Sequence, residues 1–437
     1  MKEAFSDYAN EYGKQVVVIP ISGEFEFANY QKNIGEATNV RFLSWPSSSH
    51  GLFTFKALSN VKYLDMKGIG LQVLPPEIGL CTNLERLDIR DNCLVFLPPE
   101  LSRCLKLKNL LYEGNSIFYS SPVQALNQLR QLYQSEGLAP DFRFSQSSGF
   151  FTILSWNIIS QSQACQKFFP QCPDKYLDWN YRMEHILHVL IQLKPSLVCL
   201  QDLEESQLNV LSERMRTIGY GCAASFASRP RVSGFPPTGV ATFFLKSRLT
   251  VERTVALSFS ELQGDENISK LQLISNEAVF QVSVVRLLSQ SFYLINTSLR
   301  PNRFEKSVIT AQMNIIANRV DELSGQVLIC GSLGFEPDSD AYSLLKNGEA
   351  CNGKFNLKRK YRSSYEESQD FFTHWDENKF SVNDYIWSSS QLVPTGLLMI
   401  TRKSEVLSYH HTAPNNQWPS NHLPIGASID IRLQNPE

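Results

Sequence analysis

The sequence predicts an α/β protein in two parts, a short solenoid of repeats followed by a larger sandwich of two sheets with helices. Two observations support this. Near the N-terminus a segment repeats with a period of 23 residues, and the rest of the chain is rich in apolar strand-like runs. Of the 437 residues, 43% are hydrophobic and 19% are charged, which is enough apolar material for a packed core in each part.

The charge balance excludes a generally basic nucleic-acid-binding protein, because 41 Lys and Arg face 43 Asp and Glu for a formal net charge of −2. A local basic groove stays open. We expect no membrane contact, since the longest apolar run, VVVIPI, is far below the roughly 20 residues of a spanning helix. Nine scattered cysteines without a CxxC pair indicate reduced thiols. We therefore expect a cytoplasmic protein, with the nucleus as a second compartment.

The repeat is visible in the text of the sequence. LPPE begins at Leu74 and again at Leu97, and the flanking stretches YLDMKGIGL, RLDIRDNCL and NLLYEGNSI align with each other. This is the LxxLxLxxN pattern of leucine-rich repeats, whose period is about 20–29 residues. Each LxL contributes a short strand, and the Asn side chain binds backbone in the following turn. A divergent earlier copy over Val40–Phe55 is a weaker prediction.

The outward strand positions of the repeats would line a concave face. Solenoids use such faces to bind proteins, so we predict a partner-binding surface there, although an ordinary solvated face explains most single residues equally well. The predicted partner-binding residues are Tyr63, Asp65, Lys67, Arg86, Asp88, Arg90, Asn109, Leu111 and Glu113.

The domain boundaries follow from changes in pattern. A helical stretch at Ser121–Gln134 is predicted to cap the repeats, and the polar stretch after it reads as a linker. We predict an N-terminal segment at 1–57, repeats with their capping helix at 58–138, the linker at 139–149 and the second domain at 150–437.

The second domain has more strand patterns than helix patterns. FFTILSW, LVCLQDLEE, VATFFL, VFQVSVVRLL, FYLINTSL, VLICGSL, DYIWSSS and GASIDIRL read as strands, many apolar on both faces, and Tyr181–Leu193 reads as an amphipathic helix. Buried strands of this kind predict a layered α/β sandwich.

Several motifs in this domain resemble one family in the same order. ILSWNII, CPDKYLDWNYRMEHIL, LVCLQDLE, TGVATFFLK, ICGSLGFEPDSDAYSLLKNG, DYIW and PSNHLPI resemble the leucine-rich-repeat deadenylases of the carbon catabolite repressor/NOT complex. The resemblance covers nearly all of the chain from about Leu58. It implies a catalytic half of the endonuclease/exonuclease/phosphatase superfamily and hydrolysis of poly(A) with Mg²⁺.

The resemblance also implies that the catalytic set is incomplete here. Remnants stand at Asn157, Asp384 and His422, and Asp202 replaces a metal-binding Glu as a weak metal-ligand candidate. Ser332 stands where the family has an Asp, and Gly334 stands where it has an Asn. Asn421 and Thr238 each replace a further Asp, and Ser298 replaces a His. Because Mg²⁺ prefers several oxygen ligands with formal charge, we expect Mg²⁺ only if the protein is active and no cofactor otherwise.

A basic stretch, KFNLKRKYR, interleaves aromatic and cationic side chains. It predicts contact with an RNA backbone, with a solvated loop as the commoner alternative. The predicted RNA-binding residues are Lys358, Arg359, Lys360 and Arg362.

Three functions remain open at this point. The favoured one is a catalytically impaired or inactive deadenylase-family scaffold of poly(A)-tail turnover, whose repeats hold an RNase-D-like deadenylase subunit of the NOT complex. The second is an active Mg²⁺-dependent 3′ exoribonuclease on poly(A), and the third is a repeat-based binding module outside that complex. The Asp384–His422 pair is as compatible with a structural hydrogen bond as with catalysis.

Overall fold

The computed structural model describes residues 58–133 and 142–432, except 72–73, 75, 95–96, 118–120, 146–148, 227–233, 259–278, 300–305, 367–370, 377–378, 400–412 and 416, together with 16–19 and 39–42. The chain divides into two compact units, Met1–Leu138 and Ala139–Glu437. Within the described ranges, no helix is both long and apolar enough to cross a membrane.

The first unit is built on a parallel sheet of short strands in sequential order. Its strands are β1 Val16–Ile19, β2 Asn39–Phe42, β3 Tyr63–Asp65, β4 Arg86–Asp88 and β5 Asn109–Leu111. The predicted Leu positions pair directly, Leu64 with Leu87 and Leu87 with Leu110. The strand β2 overlaps the start of the divergent copy predicted over Val40–Phe55, whereas β1 was not predicted because its sequence shows no repeat motif.

The Asn residues of the repeats satisfy backbone groups inside the turns. Asn92 is buried; its Oδ1 accepts hydrogen bonds from the backbone N–H groups of Ile69 and Leu71, and its Nδ2 donates to Met66 O. Asn115 does the same one repeat later, where its Oδ1 accepts from Leu94 N–H at 2.9 Å. These amides supply the partners that buried backbone in a turn requires.

Each repeat closes on the side opposite its strand with a short helix. Two 3₁₀ helices, Pro76–Leu80 and Pro99–Arg103, begin at the second Pro of each LPPE motif, and helix α1, Pro122–Tyr133, follows the last strand. Ala125, Leu126 and Leu129 of α1 are buried in the same hydrophobic cluster as the repeat leucines. The helix therefore packs where the sequence predicted a cap.

The second unit contains two six-stranded sheets and two small strand pairs among its described residues. The strands are β6 Phe151–Asn157, β7 Leu197–Leu203, β8 Tyr220–Phe226, β9 Gly239–Leu245, β10 Thr250–Ser258, β11 Val279–Leu287, β12 Gln290–Ser298, β13 Gln326–Ser332, β14 Glu349–Ala350, β15 Phe355–Asn356, β16 Arg362–Ser363, β17 His374–Asp376, β18 Lys379–Ser381, β19 Asp384–Ser388, β20 Leu392–Leu397 and β21 Ile425–Ile431.

One sheet has the order β10–β11–β12–β13–β19–β16, and the other has the order β20–β21–β6–β7–β9–β8. The helices of this unit are α2 Asp174–Leu177, α3 Trp179–Leu193, α4 Glu205–Thr217, α5 Lys306–Asp321 and α6 Asp340–Asn347. The predicted helix at Tyr181–Leu193 begins two residues earlier, at Trp179, because Asp178 caps it by accepting from Tyr181 N–H.

Apolar residues of the two sheets pack face to face into one core. Phe151 of β6 stacks on Phe292 of β12 with ring centroids 5.1 Å apart, and Leu328 and Ile386 belong to the same buried cluster. A second cluster joins the outer face of the first sheet to α5 and α6. The mixed α/β sandwich predicted from the apolar strands is confirmed.

A buried polar network joins the two sheets close to the strand ends. Gln201 Nε2 donates to Asn296 Oδ1 at 2.9 Å, and Asn296 Nδ2 donates to the carbonyl of Ala241 at 3.1 Å. On the neighbouring strands, Thr242 Oγ1 donates to Gln281 Oε1 at 2.7 Å. These side chains are fully buried, so their hydrogen bonds fix how β7 and β12 lie against each other.

Part of the predicted linker belongs to the second unit. Phe144 forms a bridge to Leu398, Ser145 N–H donates to the Leu397 carbonyl at 2.8 Å, and Phe142 packs edge-on against Trp418. The polar composition of 139–149 predicted a linker, but Phe142 and Phe144 within it pack against the second unit.

Candidate active site

The predicted site residues meet at one edge of the sandwich because several strands end there. Asn157 ends β6 and Ser298 ends β12. Ser298 pairs with Ser332 at the end of β13, and Ser332 pairs with Asp384 at the start of β19. The topology therefore brings together residues that are up to 227 positions apart in the sequence.

Asp202 is held at this edge by an irregularity in β7. Its φ angle is +59°, and the pairing of β7 with β9 shifts register between Gln201 and Leu203. Only 2% of Asp202 is exposed. Both carboxylate oxygens accept hydrogen bonds at 2.9 Å, Oδ2 from Asn157 Nδ2 and Oδ1 from Ser298 Oγ.

The amide of Asn157 is used at both ends. Its Nδ2 donates to Asp202, and its Oδ1 accepts from Ile159 N–H at 3.1 Å. The side chain thus holds the loop after β6 as well as the carboxylate, and neither function requires a metal ion.

His422 and Asp384 form an oriented pair, as the sequence predicts. His422 Nδ1 lies 2.8 Å from Asp384 Oδ2 and 3.0 Å from Asp384 Oδ1. The His422 backbone is fixed as well, because its carbonyl accepts from Trp156 Nε1 and its N–H donates to Ser420 Oγ. The side chain of His422 keeps 12% exposure, so the pair lies at the solvent side of this edge.

Asn421 has a partner that the sequence did not indicate. Its Nδ2 lies 3.0 Å from His374 Nε2, and His374 Nδ1 lies 3.1 Å from Ser381 Oγ. The rings of His374 and His422 are 4.6 Å apart between centroids. Burial, and after it the nearby His422 and Lys379, lower the pKa of His374 to about 3, so this ring is neutral at pH 7.

Ser332 and Gly334 occupy the places that the resemblance assigns to an Asp and an Asn. Ser332 is 4% exposed and accepts a hydrogen bond from Leu299 N–H on its backbone carbonyl. Gly334 has φ +70°, and its N–H donates to the Asn383 carbonyl. Since Asn tolerates positive φ better than most residues, the backbone at Gly334 is compatible with the family's residue.

Arg182 is a further residue that sequence reasoning missed. It is fully buried, and its Nη1 donates to the carbonyls of Ile158, Ile159 and Pro419 at 2.6, 3.2 and 3.3 Å. It thereby ties the loop after Asn157 to the loop before His422. Burial lowers the Arg182 pKa to about 10, which leaves the guanidinium charged at neutral pH. A basic residue on the apolar face of a helix pattern is the signal that could have indicated it.

Two other polar residues flank the strands next to Asp202, because Glu204 follows β7 and Thr238 precedes β9. Glu204 caps helix α4 and accepts from Ser162 N–H at 2.7 Å, so it does not complete a metal site with Asp202. Thr238 is 3% exposed, and its Oγ1 has no hydrogen-bond partner among the residues that the structure describes. It precedes Gly239, which pairs with Leu203.

The donor set does not fit Mg²⁺ in this arrangement. Asp202 is the carboxylate at the centre of the site and accepts a hydrogen bond from a neutral donor on each oxygen, while the Asp384 carboxylate holds His422. Among the residues that the structure describes, no three His, Cys, Asp or Glu side chains form a group able to hold a metal ion. Mg²⁺ dehydrates reluctantly and is usually held by carboxylates together with waters.

The two aromatic rings of the basic stretch are buried and are not presented to solvent. Phe355 and Tyr361 are buried in the core, 6% and 3% exposed. Arg359 donates to the carbonyls of Leu323 and Gly325 near the end of α5, so it is structural. The remaining predicted cations, Lys358, Lys360 and Arg362, are exposed.

Some of the predicted residues of the repeat face bind each other. Arg90 donates to both Asp88 oxygens, at 2.9 and 2.5 Å; burial raises the Asp88 pKa, but these bonds outweigh it and the pKa falls below its usual value. Asp65 Oδ1 accepts from Lys67 N–H. The other predicted residues, Tyr63, Arg86, Asn109, Leu111 and Glu113, are exposed or half-buried.

Comparison with known proteins agrees with this architecture. No family model matches the chain. It is 26% identical to "Protein angel homolog 1" of Homo sapiens over 216 residues, which are 46% of this chain and 31% of that protein. It is 24% identical to the "CCR4-Not complex 3'-5'-exoribonuclease subunit Ccr4" of Emericella nidulans over 352 residues, 64% of this chain and 52% of that one. The chain thus spans less than two thirds of the length of these curated relatives.

Two solved structures are similar in fold. ANGEL2, "a 2',3'-cyclic phosphatase", in complex with adenosine-2',3'-vanadate, superposes with a TM-score of 0.56, 18% identity, 67% coverage of this chain and 99% of that one. The human Nocturnin catalytic domain superposes with a TM-score of 0.50 at 17% identity, and the match covers 67% of this chain and 97% of that one. The second unit therefore has the endonuclease/exonuclease/phosphatase fold. The sequence relatives are Ccr4 exoribonuclease subunits and Angel proteins, which confirms the resemblance of the motifs.

Proposed function

We propose that this chain is a deadenylase-related protein of mRNA poly(A)-tail turnover whose nuclease fold is catalytically inactive. One observation carries the proposal: both oxygens of Asp202 are bound by Asn157 and Ser298 at 2.9 Å. The carboxylate that would hold a metal is satisfied by neutral donors, so we propose that no cofactor is bound.

The missing groups have a calculable consequence. A Ser such as Ser332 cannot act as a base at neutral pH, and losing one general acid or base costs about 10²–10⁴ in rate. Losses within one catalytic unit are not additive, but the first already removes most of the rate. Gly334 and Asn421 also differ from the residues that the family resemblance implies, which supports the proposed loss of activity.

We further propose that the first unit is a leucine-rich-repeat solenoid that acts as a scaffold. The parallel strands and the Asn92 and Asn115 turns support this. The Ccr4 relatives are named as subunits of the CCR4-Not complex, which supports a role in that complex. We propose an RNase-D-like deadenylase subunit as the partner of the repeat face. On this proposal the protein works in the cytoplasm, and also in the nucleus.

The test measures shortening of a fluorescent oligo(A) RNA by the full chain in Mg²⁺ or Mn²⁺. Beside it run a Ser332→Asp/Gly334→Asn variant and a His422→Ala variant, each checked for an unchanged circular dichroism spectrum. We expect no shortening by the natural chain. Shortening that His422→Ala abolishes would overturn the proposal, and activity in the double variant alone would assign the loss to those two positions.

One observation favours a second candidate, a working Mg²⁺-dependent 3′ exoribonuclease on poly(A). The Asp384–His422 pair keeps a hydrogen bond of 2.8 Å and partial exposure, which is the geometry of an oriented catalytic imidazole. In that case exposed Lys358, Lys360 and Arg362 are candidates for RNA backbone contact. The same oligo(A) assay decides between the two functions.

A further inference from the structure

A second concavity lies in the same unit, beside helix α6 and away from Asp202. It is a cavity of about 430 Å³ between the start of α6, the edge strand β16 and the β18 segment. Half of its lining residues are aromatic, namely Tyr342, Tyr365, Phe371, Phe372, Phe380 and Tyr385.

The aromatic walls present rings, because the buried tyrosine hydroxyls are engaged elsewhere. Tyr385 OH donates to the Phe335 carbonyl at 2.8 Å, and Tyr365 OH donates to the Gly426 carbonyl at 2.8 Å. The rings are also fixed against each other: Tyr365 stacks on Phe371 at 4.7 Å, and Phe372 meets Phe380 edge-on at 4.7 Å. A ligand would therefore meet a preformed aromatic surface.

The charge of the cavity is negative. Its charged lining residues are Glu336 and Glu366, and no Lys, Arg or His belongs to the lining that the structure places. Glu366 pairs with Lys346 at 2.5 Å, whereas Glu336 Oε2 accepts a backbone N–H from Val382 at 3.3 Å. Burial and the charges of Glu336 and other nearby carboxylates raise the pKa of Tyr385, as a negative local potential requires.

We propose that this cavity binds an organic cation, an ammonium or guanidinium group. Aromatic faces attract such cations, more strongly when water is excluded, and Glu336 supplies the opposite charge. A phosphate-bearing nucleotide is disfavoured by the same carboxylates, which separates this site from any RNA path. The cation has two sources, a free quaternary amine or the methylated lysine side chain of a protein.

The cavity is connected to the degenerate site through one hydrogen-bonded chain. Ser381, a lining residue, contacts His374 Nδ1 at 3.1 Å, and His374 Nε2 contacts Asn421 at 3.0 Å. His374 therefore stands between the cavity and the loop that carries His422. Binding in the cavity is expected to change the ring signals of His374 in an NMR spectrum.

The test compares ligands that differ only in charge. Isothermal titration calorimetry of the full chain uses choline and its neutral isostere 3,3-dimethylbutan-1-ol, with AMP as an anionic aromatic. A third arm uses N-acetyl-trimethyllysine methylamide, which distinguishes a protein side chain from a free amine. We expect choline or the trimethyllysine probe to bind at least about tenfold tighter than the neutral alcohol, equivalent to about 1.4 kcal/mol.

Variants assign the binding to the cavity. Glu336→Gln is expected to weaken the cation at least about fivefold and to leave the neutral alcohol unchanged, which follows from the loss of one facing charge. Phe380→Leu is expected to weaken it through the lost ring face. Glu349→Gln, an exposed glutamate outside the lining, is the matched control and should change nothing.

The proposal is overturned by any of three results. These are equal affinity for choline and its neutral isostere, tighter binding of AMP than of either cation, or no cation binding at 10 mM by a chain with native circular dichroism. Preference for the trimethyllysine probe over choline would assign the cation to a protein partner, and the reverse preference would assign it to a free amine.

Discussion

Arg182 offers the sharpest test of how the site loops are held. It is a fully buried arginine on α3 that binds backbone carbonyls of two separate loops, at Ile158 and Ile159 on one side and at Pro419 on the other. Arg182→Met keeps most of the side-chain stem but removes every donor. The substitution therefore asks what the hydrogen bonds alone contribute.

The magnitude follows from the acceptors left behind. A buried polar group without its partner costs about 1–3 kcal/mol, and four carbonyls lose an Arg182 donor at once. Removing a buried cation returns part of its desolvation cost, which places the net loss below the lower end of that sum. We expect the free energy of unfolding to fall by about 3 kcal/mol, which a urea m-value of about 3 kcal/mol/M turns into a midpoint about 1 M lower.

The assay is urea denaturation followed by tryptophan fluorescence, with Arg216→Met as the control. The side chain of Arg216 is 68% exposed, so its loss should change stability by less than about 0.5 kcal/mol. Hydrogen exchange should also accelerate together at 158–160 and at 419–423 in Arg182→Met. A loss of stability below about 1 kcal/mol, or faster exchange in only one of the two loops, would refute the reasoning.

Three further predictions concern the fold. Gly331→Ala should destabilise more than Gly353→Ala in thermal melts, because its Cβ would lie 1.8 Å from a carbonyl oxygen, whereas Gly353 has open space; equal effects would contradict the close approach. Asn92→Ala should lower the free energy of unfolding by about 2 kcal/mol or more, since it strands several buried backbone groups, and an effect under about 0.5 kcal/mol would count against the turn network. Burial lowers the pKa of His185 to about 3 and of His188 to about 4. The two neutral rings therefore contribute fully to the free energy of unfolding above pH 6.5, and this contribution falls as the pH drops toward 4. His185→Phe/His188→Leu should therefore lose less stability than the natural chain between pH 7 and pH 5 in urea denaturation, and parallel losses would refute this.

The repeats show how much a periodic sequence predicts. Leu64, Leu87 and Leu110 recur at 23-residue intervals, and each lies in a parallel strand beside the next. The strand at Val16–Ile19 escaped because a short apolar run fits many structures when no Asn or LPPE motif follows it. Pattern strength, more than chain position, decided which repeats could be predicted.

The basic stretch carried a signal that the interpretation overlooked. Alternate residues from Phe355 to Tyr361 are buried or half-buried, while Lys358 and Lys360 between them are exposed. That is the period of two typical of an extended segment with one face on the core. Read in this way, the sequence predicts packed rings and solvated lysines, as observed.

The chemistry of the strand ends was predictable only in part. The motif order brought Asn157, Asp202 and His422 together, but the hydrogen bonds that close the site depend on three-dimensional placement. His374 lies 47 residues before Asn421, and nothing in its surroundings marks it as a partner. The positive φ of Asp202 equally leaves no trace in the sequence, because such a bulge is set by the pairing of its neighbours.

The replaced positions argue for a site rebuilt around hydrogen bonds. A buried carboxylate that loses its metal is left with an unpaired charge, which costs several kcal/mol and endangers the fold. At Asp202, hydrogen bonds from Asn157 and Ser298 offset that cost. Asn421 contacts His374, whereas a carboxylate at position 421 would lie beside a neutral imidazole. Under the proposed function, these hydrogen bonds would keep the fold stable without a metal centre, which is what a scaffold would require.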